Sequence, residues 1–534
     1  MKYLKETLVM FGAIALLSLT VSPAQAQVCE EQDTQSALQY LRRASLDLRG
    51  HLPTVDELNS VVTNQAIDPA IIDSMVDSDE FLTALREYHR DLLWVNVTNQ
   101  RLTQNTWLLA TSRRGNVRDI YYVPGFARAN SYRGAQISCQ NKPQSELGYD
   151  AVTGLPNTET TALGEQEGYV EVQPYWAPDT TIKVCAFDAQ DNLQGNNMAG
   201  RPVDCNRSVT TKNCGCGPNL QWCHGGNLTQ GYITRSWNEQ MFRFIDNIVS
   251  NDRPYTDVLT AKDMEINGPI SGYFRNLWSA GQAQLLSYPV QNYDMPEIPF
   301  NEIDTWQTVE RGVRHAGILT MPGFLVKFQS DRGRANRFYN AFLCQDFQAP
   351  EGGLPASDDD CHNEPNLSKR CGCKYCHQSL EPAAAHWGRW VEAGVAPMNE
   401  DLFPKFNPEC LQPGANRNLN CRRFYLLQAQ HPDEEAYEGT LLSYVFAEAQ
   451  TETNITEGPI AIAQTAIESG AFASCTVKKM WSLYMNSGRA DPSAETLDSL
   501  TEDFKTDYNL RRLVKNIVAR GEYLAAGHYS NEKE

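Results

Sequence analysis

The sequence predicts a mainly α, multi-helical fold interrupted by one partly β insertion that disulfides pin in place. Three observations carry that reading. Apolar residues recur at helical spacing toward both ends of the chain. Between residues 112 and 235 that period fades, and Gly, Asn, Pro and Thr become frequent. Fifteen cysteines accompany a first segment that reads as an export signal.

In that first segment Lys2 and Lys5 precede an apolar run from Leu8 to Val21, and Pro23-Ala24-Gln25-Ala26 follows. This is the order of a secretory signal peptide, residues 1–26, cleaved near Ala26. The apolar run is shorter than the roughly 20 residues of a spanning helix. No later run is longer, so the expected product is periplasmic, secreted or cell-surface and not an integral membrane protein. Cys29 follows Val28, where a lipoprotein site would have a small residue.

Residues 27–111 read as an N-terminal helical domain. Leu38, Leu41 and Leu48 share a face that Gly50 and Pro53 end, Thr54 and Glu57 form a capping box, and Phe81, Leu85, Tyr88 and Leu92 continue from Ser78. His51 and His89 are expected to be surface or capping histidines. Residues 112–235 form the Cys-containing irregular/β insertion, in which Gly168 to Tyr175 and Thr181 to Phe187 alternate and are expected to pair as strands. Helices return over 236–310, with Phe242, Phe244, Ile245 and Ile248 as a stripe ended by Asn251 to Tyr255. A C-terminal helical domain, 426–534, carries Val477, Met480, Trp481 and Tyr484, then Leu497, Leu500 and Phe504, then Leu510, Leu513, Val514 and Ile517.

Between these helical parts lies the run Cys371-Gly372-Cys373-Lys374-Tyr375-Cys376-His377. Thiols three positions apart, followed at once by histidine, are the pattern that binds haem c: Cys373 and Cys376 form thioethers and His377 takes the iron. Residues 311–425 are therefore read as a haem c-binding domain, and the fold class is completed by this embedded segment. A thioredoxin-like use of Cys373 and Cys376 would need a preceding β-α-β pattern, which is missing, and Cys371 is left to a disulfide or a thiol. For the sixth iron position Met398 is favoured over His386, His315 and Met321. Arg332, Arg334 and Arg337 are read equally as propionate partners or as a solvated helix face.

A related cluster, Cys214-Gly215-Cys216-Gly217-Pro218-Asn219-Leu220-Gln221-Trp222-Cys223-His224, has six residues where the haem motif has two. A disulfide-stabilised loop is its plainest reading, a second haem on Cys216, Cys223 and His224 ranks next, and zinc is third. One haem leaves 13 of the 15 cysteines and two leave 11. Both remainders are odd, so an unpaired thiol is expected and the haems cannot be counted this way. Cys410 with Cys421, Cys344 with Cys361, and Cys185 with Cys205 are the pairings that short separation proposes.

The formal charge is −19, and loss of Lys2, Lys5 and Glu6 removes a net +1, leaving −20. So acidic a chain is not expected to bind nucleic acid. It also shows no Gly-x-Ser-x-Gly, His-Glu-x-x-His or phosphate loop, which argues against a hydrolase.

Several runs carry a resemblance. The stretch from Leu41 through Arg42-Arg43 and Leu46-Asp47-Leu48 to Pro53-Thr54 resembles the opening of a helical domain of unknown function found in large exported bacterial cytochrome c proteins, many described from planctomycetes. Phe244 to Leu259, Arg311 to Trp390, and Phe472 to Val514 resemble further parts of that family. The resemblance implies a "hAGiLT" helix near Arg311, an arginine-rich helix ending in Phe342-Leu343-Cys344, covalent haem c and a redox role.

The expected function is that of an exported c-type haem protein transferring electrons to a redox partner protein in the bacterial envelope. A haem-dependent, peroxidase-like oxidoreductase acting on an extracellular compound, and a surface-binding protein with a structural haem, are the alternatives.

Overall fold

A computed structural model describes residues 36–525 except 95, 98–101, 104, 112–118, 125–136, 198, 209–210, 279–294, 348–359, 393, 443–444 and 486–490. The expected signal peptide and Cys29 lie outside the described residues.

Helices form most of the architecture. Helix α1 (Ala37–Arg49) starts at Ser36 and α2 (Val55–Asn64) at Thr54, each with a capping box closed by Gln39 and Glu57. Helices α3 (Pro69–Val76) and α4 (Asp79–Leu93) complete a packed N-terminal group. Its apolar stripes, including Leu41, Leu48, Phe81 and Leu85, are buried. A long α5 (Asn227–Ser250) crosses the middle of the molecule and starts nine residues before the expected boundary at 236.

The insertion is partly β, as its alternation predicts. Strands β1 (Ala110–Thr111), β2 (Ile120–Tyr122), β5 (Tyr169–Val172) and β6 (Ile182–Cys185) form one sheet in the order β1-β2-β6-β5. The pair β5–β6 is antiparallel with Val170 opposite Val184, and β2–β6 is parallel. Two small hairpins, β3 (Glu159–Thr161) with β4 (Gly164–Gln166) and β7 (Gln194–Asn196) with β8 (Pro202–Asp204), lie beside it. With so few ladder bonds the region depends on covalent links, and disulfides Cys139–Cys185, Cys205–Cys214 and Cys216–Cys223 supply them.

Beyond α5, β9 (Asp263–Ile266) pairs antiparallel with β10 (Gln307–Glu310). The following Arg311-to-Thr320 run is not the helix that the resemblance implies. Gly317 has φ +42° and lies so close to Val258 that a Cβ would stand 2.1 Å from its carbonyl oxygen, while its N–H donates to Ala261 O at 2.8 Å. The chain turns at Val313–Arg314, with His315 N–H donating to Gly312 O at 3.2 Å, before a single 3₁₀ turn, Gly317–Thr320. The Arg311 guanidinium then donates to the carbonyls of Ala261 and Gly317 at 3.2 and 3.0 Å. Helices α6 (Pro322–Lys327), α7 (Asp331–Phe338) and α8 (Lys374–Ala385) follow, and α7 packs along α8.

The C-terminal part is helical: α9 (Ala449–Glu457), α10 (Pro459–Glu468), α11 (Ala471–Tyr484), α12 (Ala494–Phe504) and α13 (Leu510–Val518). One buried apolar cluster runs from Leu41 to Tyr523 through all the helical parts. The chain ends meet: Arg43 donates to the carbonyls of Tyr523 and Tyr484, and Tyr523 OH donates to Asp47 at 2.8 Å. Tyr255 links three parts, donating its OH to His89 Nε2 at 2.7 Å, its N–H to Tyr508 O at 2.8 Å, and stacking on Phe472.

Among the described residues no single helix is long and apolar enough to cross a membrane. The pair α10–α11, bent by 75°, passes by length and composition together, but Phe472, Val477, Met480 and Trp481 of that pair are buried in the common core.

Disulfide Cys344–Cys475 fastens α11 to the turn after α7 across a separation of 131 residues. Closing so long a loop restricts the unfolded chain strongly. Replacing both cysteines by alanine should cost roughly 2–5 kcal/mol in denaturant unfolding. An unchanged midpoint in oxidising buffer would show that this link does not form.

Candidate functional site

The segment before α8 delivers the motif in a fixed conformation. Cys361–Cys371 is a disulfide, and between them Asn366 accepts N–H bonds from Lys369 and Arg370 at 2.9 and 2.8 Å while Arg370 Nε donates to Glu364 O at 2.6 Å. Gly372 follows the disulfide at φ +74°, a backbone state open to glycine at little cost, and turns the chain into the helix. Cys373 occupies the N-cap of α8, and Cys376 and His377 stand in its first turn. The N–H groups of Cys376 and His377 both donate to Cys373 O, at 3.2 and 3.0 Å, and Ser368 Oγ donates to His377 O at 3.1 Å.

Cys373, Cys376 and His377 are half-buried, and Lys374 and Tyr375 between them are exposed. Six disulfides account for twelve cysteines, and among the described residues Cys373 and Cys376 are the two that stand outside a disulfide. Cys29, the remaining one of the 15, lies outside the described residues. Of the three pairings proposed from short separation, Cys410–Cys421 forms. Cys344 pairs instead with Cys475 and Cys361 with Cys371, and Cys185 pairs with Cys139 and Cys205 with Cys214.

The His377 ring is held by its Nδ1–H, which donates to the Glu381 carboxylate one turn further along α8. Glu381 is 2 % exposed, and Arg332 on α7 grips it with two bonds, Nε to Oε1 at 2.7 Å and Nη2 to Oε2 at 3.0 Å. That carboxylate holds the Arg332 guanidinium above its usual pKa. With Nδ1 engaged, Nε2 is the nitrogen that can bind a metal. Two thiols one helical turn apart, with an imidazole fixed beside them as an Nε2 ligand, form a donor set that suits a covalent haem.

Glu381 was not recognised in the sequence because Glu381-Pro382 reads as a helix break. The helix instead runs through Pro382 to Ala385, with Asn454 Nδ2 donating to Pro382 O at 2.7 Å. The usable signal was the i, i+4 spacing of His377 and Glu381.

The related cluster takes its plainest reading, a disulfide-stabilised loop: Cys216 and Cys223 are joined to each other and Cys214 to Cys205, which engages the sulfurs that the second-haem reading on Cys216, Cys223 and His224 and the zinc reading require. Gly217 at φ +77° forms the expected turn, lying so close to the Trp222 ring that a Cβ would stand 2.7 Å from it. His224 is buried, its Nδ1 accepting from Gly226 N–H at 3.1 Å, and its backbone pairs with Trp107 and Leu109. It belongs to the folding of this loop.

The other candidates are placed as follows. Met398 is buried beside Arg389, whose carbonyl accepts its N–H, and lines a cavity of about 250 Å³ with Asp331, Trp390, Glu392, Arg423 and Phe424. His377 is not among the residues lining that cavity. His386 donates Nδ1–H to Gly458 O at 2.9 Å, and His315 packs edge-on to Trp390 with Thr320 Oγ1 at 3.3 Å. Met321 is fully buried ahead of α6. Arg334 and Arg337 are neither propionate partners nor a solvated face. Arg334 is fully buried, donating to Asp331, Trp390 O, Val391 O and Phe328 O, and Arg337 donates to Asp91 O and Leu92 O.

Burial lowers His89 and His386 from 6.5 to about 4, and burial with the Arg311 charge takes His315 to about 2. His89 is not the surface or capping residue expected, but a core residue donating Nδ1–H to Leu85 O. Unfolding lets these rings take protons near pH 6.5, whereas the folded protein takes them at His89 and His386 only near pH 4. Stability is therefore insensitive to them above that range and falls as pH drops through it. His89→Gln should flatten the decline by up to roughly 1 kcal/mol per pH unit in denaturant titrations. An unchanged slope would show that His89 is protonated in the fold.

Comparison of the chain with protein-family models, with curated proteins and with solved structures finds no match.

Proposed function

We propose that the protein is an exported c-type haem protein that transfers electrons in the bacterial envelope, related to the large exported cytochromes that its sequence resembles. The observation that carries the proposal is the arrangement of the motif: Cys373 and Cys376 lie one turn apart at the start of α8, and His377 beside them is held through Nδ1 by Glu381, while the neighbouring Cys371 is bound to Cys361. In this reading Cys373 and Cys376 each add an S–H across a vinyl group, sulfur to one carbon and hydrogen to the other, with no leaving group and no oxidant. His377 offers Nε2 to the iron while Glu381 holds its other nitrogen.

A haem bound there supplies a one-electron iron couple. The residues around the motif are suited to exchange with a partner. Lys374, Tyr375, Gln378 and Ser379 are exposed, so the attachment turn lies at the protein surface. Six disulfides support passage to an oxidising compartment, and an acidic chain favours a basic or neutral partner face.

One observation favours a second reading. Cys373 at a helix N-cap and Cys376 in the first turn stand at a helix start, where dithiol redox proteins carry their Cys-x-x-Cys pair. The segment leading into α8 is a run of turns, however, and not the strand of a β-α-β unit.

Intact mass of the protein matured with a haem-attachment system separates the two. One added haem is expected, and Cys373→Ser with Cys376→Ser should abolish it while Cys216→Ser with Cys223→Ser should not. The mass of the cleaved apoprotein alone would end the haem proposal and leave the dithiol reading.

A further inference from the structure

The haem proposal leaves unexplained why an acid is buried directly behind the ring of His377. We propose that Glu381 is a positioning residue that sets the redox level of the site: fixed by Arg332, its carboxylate draws charge onto the His377 ring and lowers the reduction potential of iron held at Nε2. This inference rests on the reading of Cys373, Cys376 and His377 as the haem c site.

Burying a carboxylate costs several kcal/mol unless charge and hydrogen bonds compensate it. Here both oxygens are engaged by one guanidinium, and Oε1 also receives the imidazole N–H. The acid cannot swing away, because its own helix fixes it four residues after His377 and a second helix supplies Arg332. That second helix is itself anchored: Asp331 N–H donates to Glu392 at 3.0 Å, and Arg334 donates to Trp390 O and Val391 O at 2.9 and 3.1 Å. On the far side Asn454 holds the carbonyl of Pro382.

A histidine whose Nδ1–H meets a carboxylate becomes a stronger donor through Nε2 than one bonded to a neutral acceptor. Stronger donation favours the oxidised metal. The Arg332 cation opposes this by withdrawing charge from the same carboxylate, so the two neighbours act on the ring with opposite sign. An ion pair acting through its field alone would move the potential and leave the iron–histidine bond unchanged.

The test uses the full-length protein after haem maturation, with intact mass taken first for wild type, Glu381→Gln and Arg332→Gln. Glutamine keeps the size and an acceptor oxygen of Glu381 and removes its charge. Midpoint potential is read by redox titration. The iron–histidine stretching band is read by resonance Raman on the ferrous protein, or on its photolysed carbon monoxide adduct if the iron is six-coordinate. Glu381→Gln should raise the potential and lower the stretching frequency, and Arg332→Gln should move both the other way. If Glu381→Gln does not fold, the Arg332→Gln shift still decides. Haem-loaded variants with both observables unchanged, or with a shifted potential and an unchanged iron–histidine band, would overturn the inference while leaving the haem site standing. A wild-type chain without added haem mass would remove the haem reading itself.

Discussion

The pairing of the cysteines is the constraint on which the rest of the structure depends. In the insertion the ladders are only two to four residues long, and three disulfides hold what so little hydrogen bonding could not. In the helical part Cys344–Cys475 ties the C-terminal helices to the region around α7. At the motif Cys361–Cys371 fixes the chain two residues before Cys373, and Gly372 supplies the turn that makes Cys373 a helix cap. The same chemistry that staples the fold thus also fixes the turn that leads into Cys373 and Cys376.

Much of the helical architecture was legible because its signals are local. Ser36 with Gln39 and Thr54 with Glu57 close capping boxes within one turn, and Ser78 caps α4 by accepting the Phe81 N–H. The alternation in Tyr169 to Val172 and Ile182 to Cys185 became an antiparallel pair for a similarly short-range reason. Disulfide connectivity was not legible, because Cys344 meets Cys475 only after intervening helices have packed. The irregular run before Thr320 was hidden for a related reason: Gly317 looks permissive in sequence, but its backbone is pressed against that of Val258, distant in the chain.

At the candidate site, composition and spacing identified the donors but not their environment. Cys373, Cys376 and His377 are adjacent in sequence, so their joint chemistry could be read directly. Glu381 was obscured by Pro382. Proline lacks the N–H that would close the helix bond to the carbonyl of Gln378, yet the helix runs on to Ala385, with Asn454 holding the carbonyl of Pro382 itself and α7 packed along its length. The arginines of α7 illustrate the same limit. Three cations at close spacing resemble a solvated or anion-binding face, but only Arg332 turns to the motif, while Arg334 and Arg337 spend their donors on backbone carbonyls.

The division of labour within α7 and α8 bears on whether the site carries electrons or also performs chemistry. A carrier needs a ligand ring that does not reorient between oxidation states, and a carboxylate clamped by a guanidinium provides a rigid anchor. A catalyst needs in addition an accessible face on the metal and groups that move protons there. His315 and His386 are poorly placed for that second task, since burial keeps both neutral and each is already tied to a partner within the fold. Glu381 faces the ring from behind and is fully engaged, so under the haem proposal it would act through the histidine and not on a substrate. The residues described around His377 thus hold its ring in one orientation.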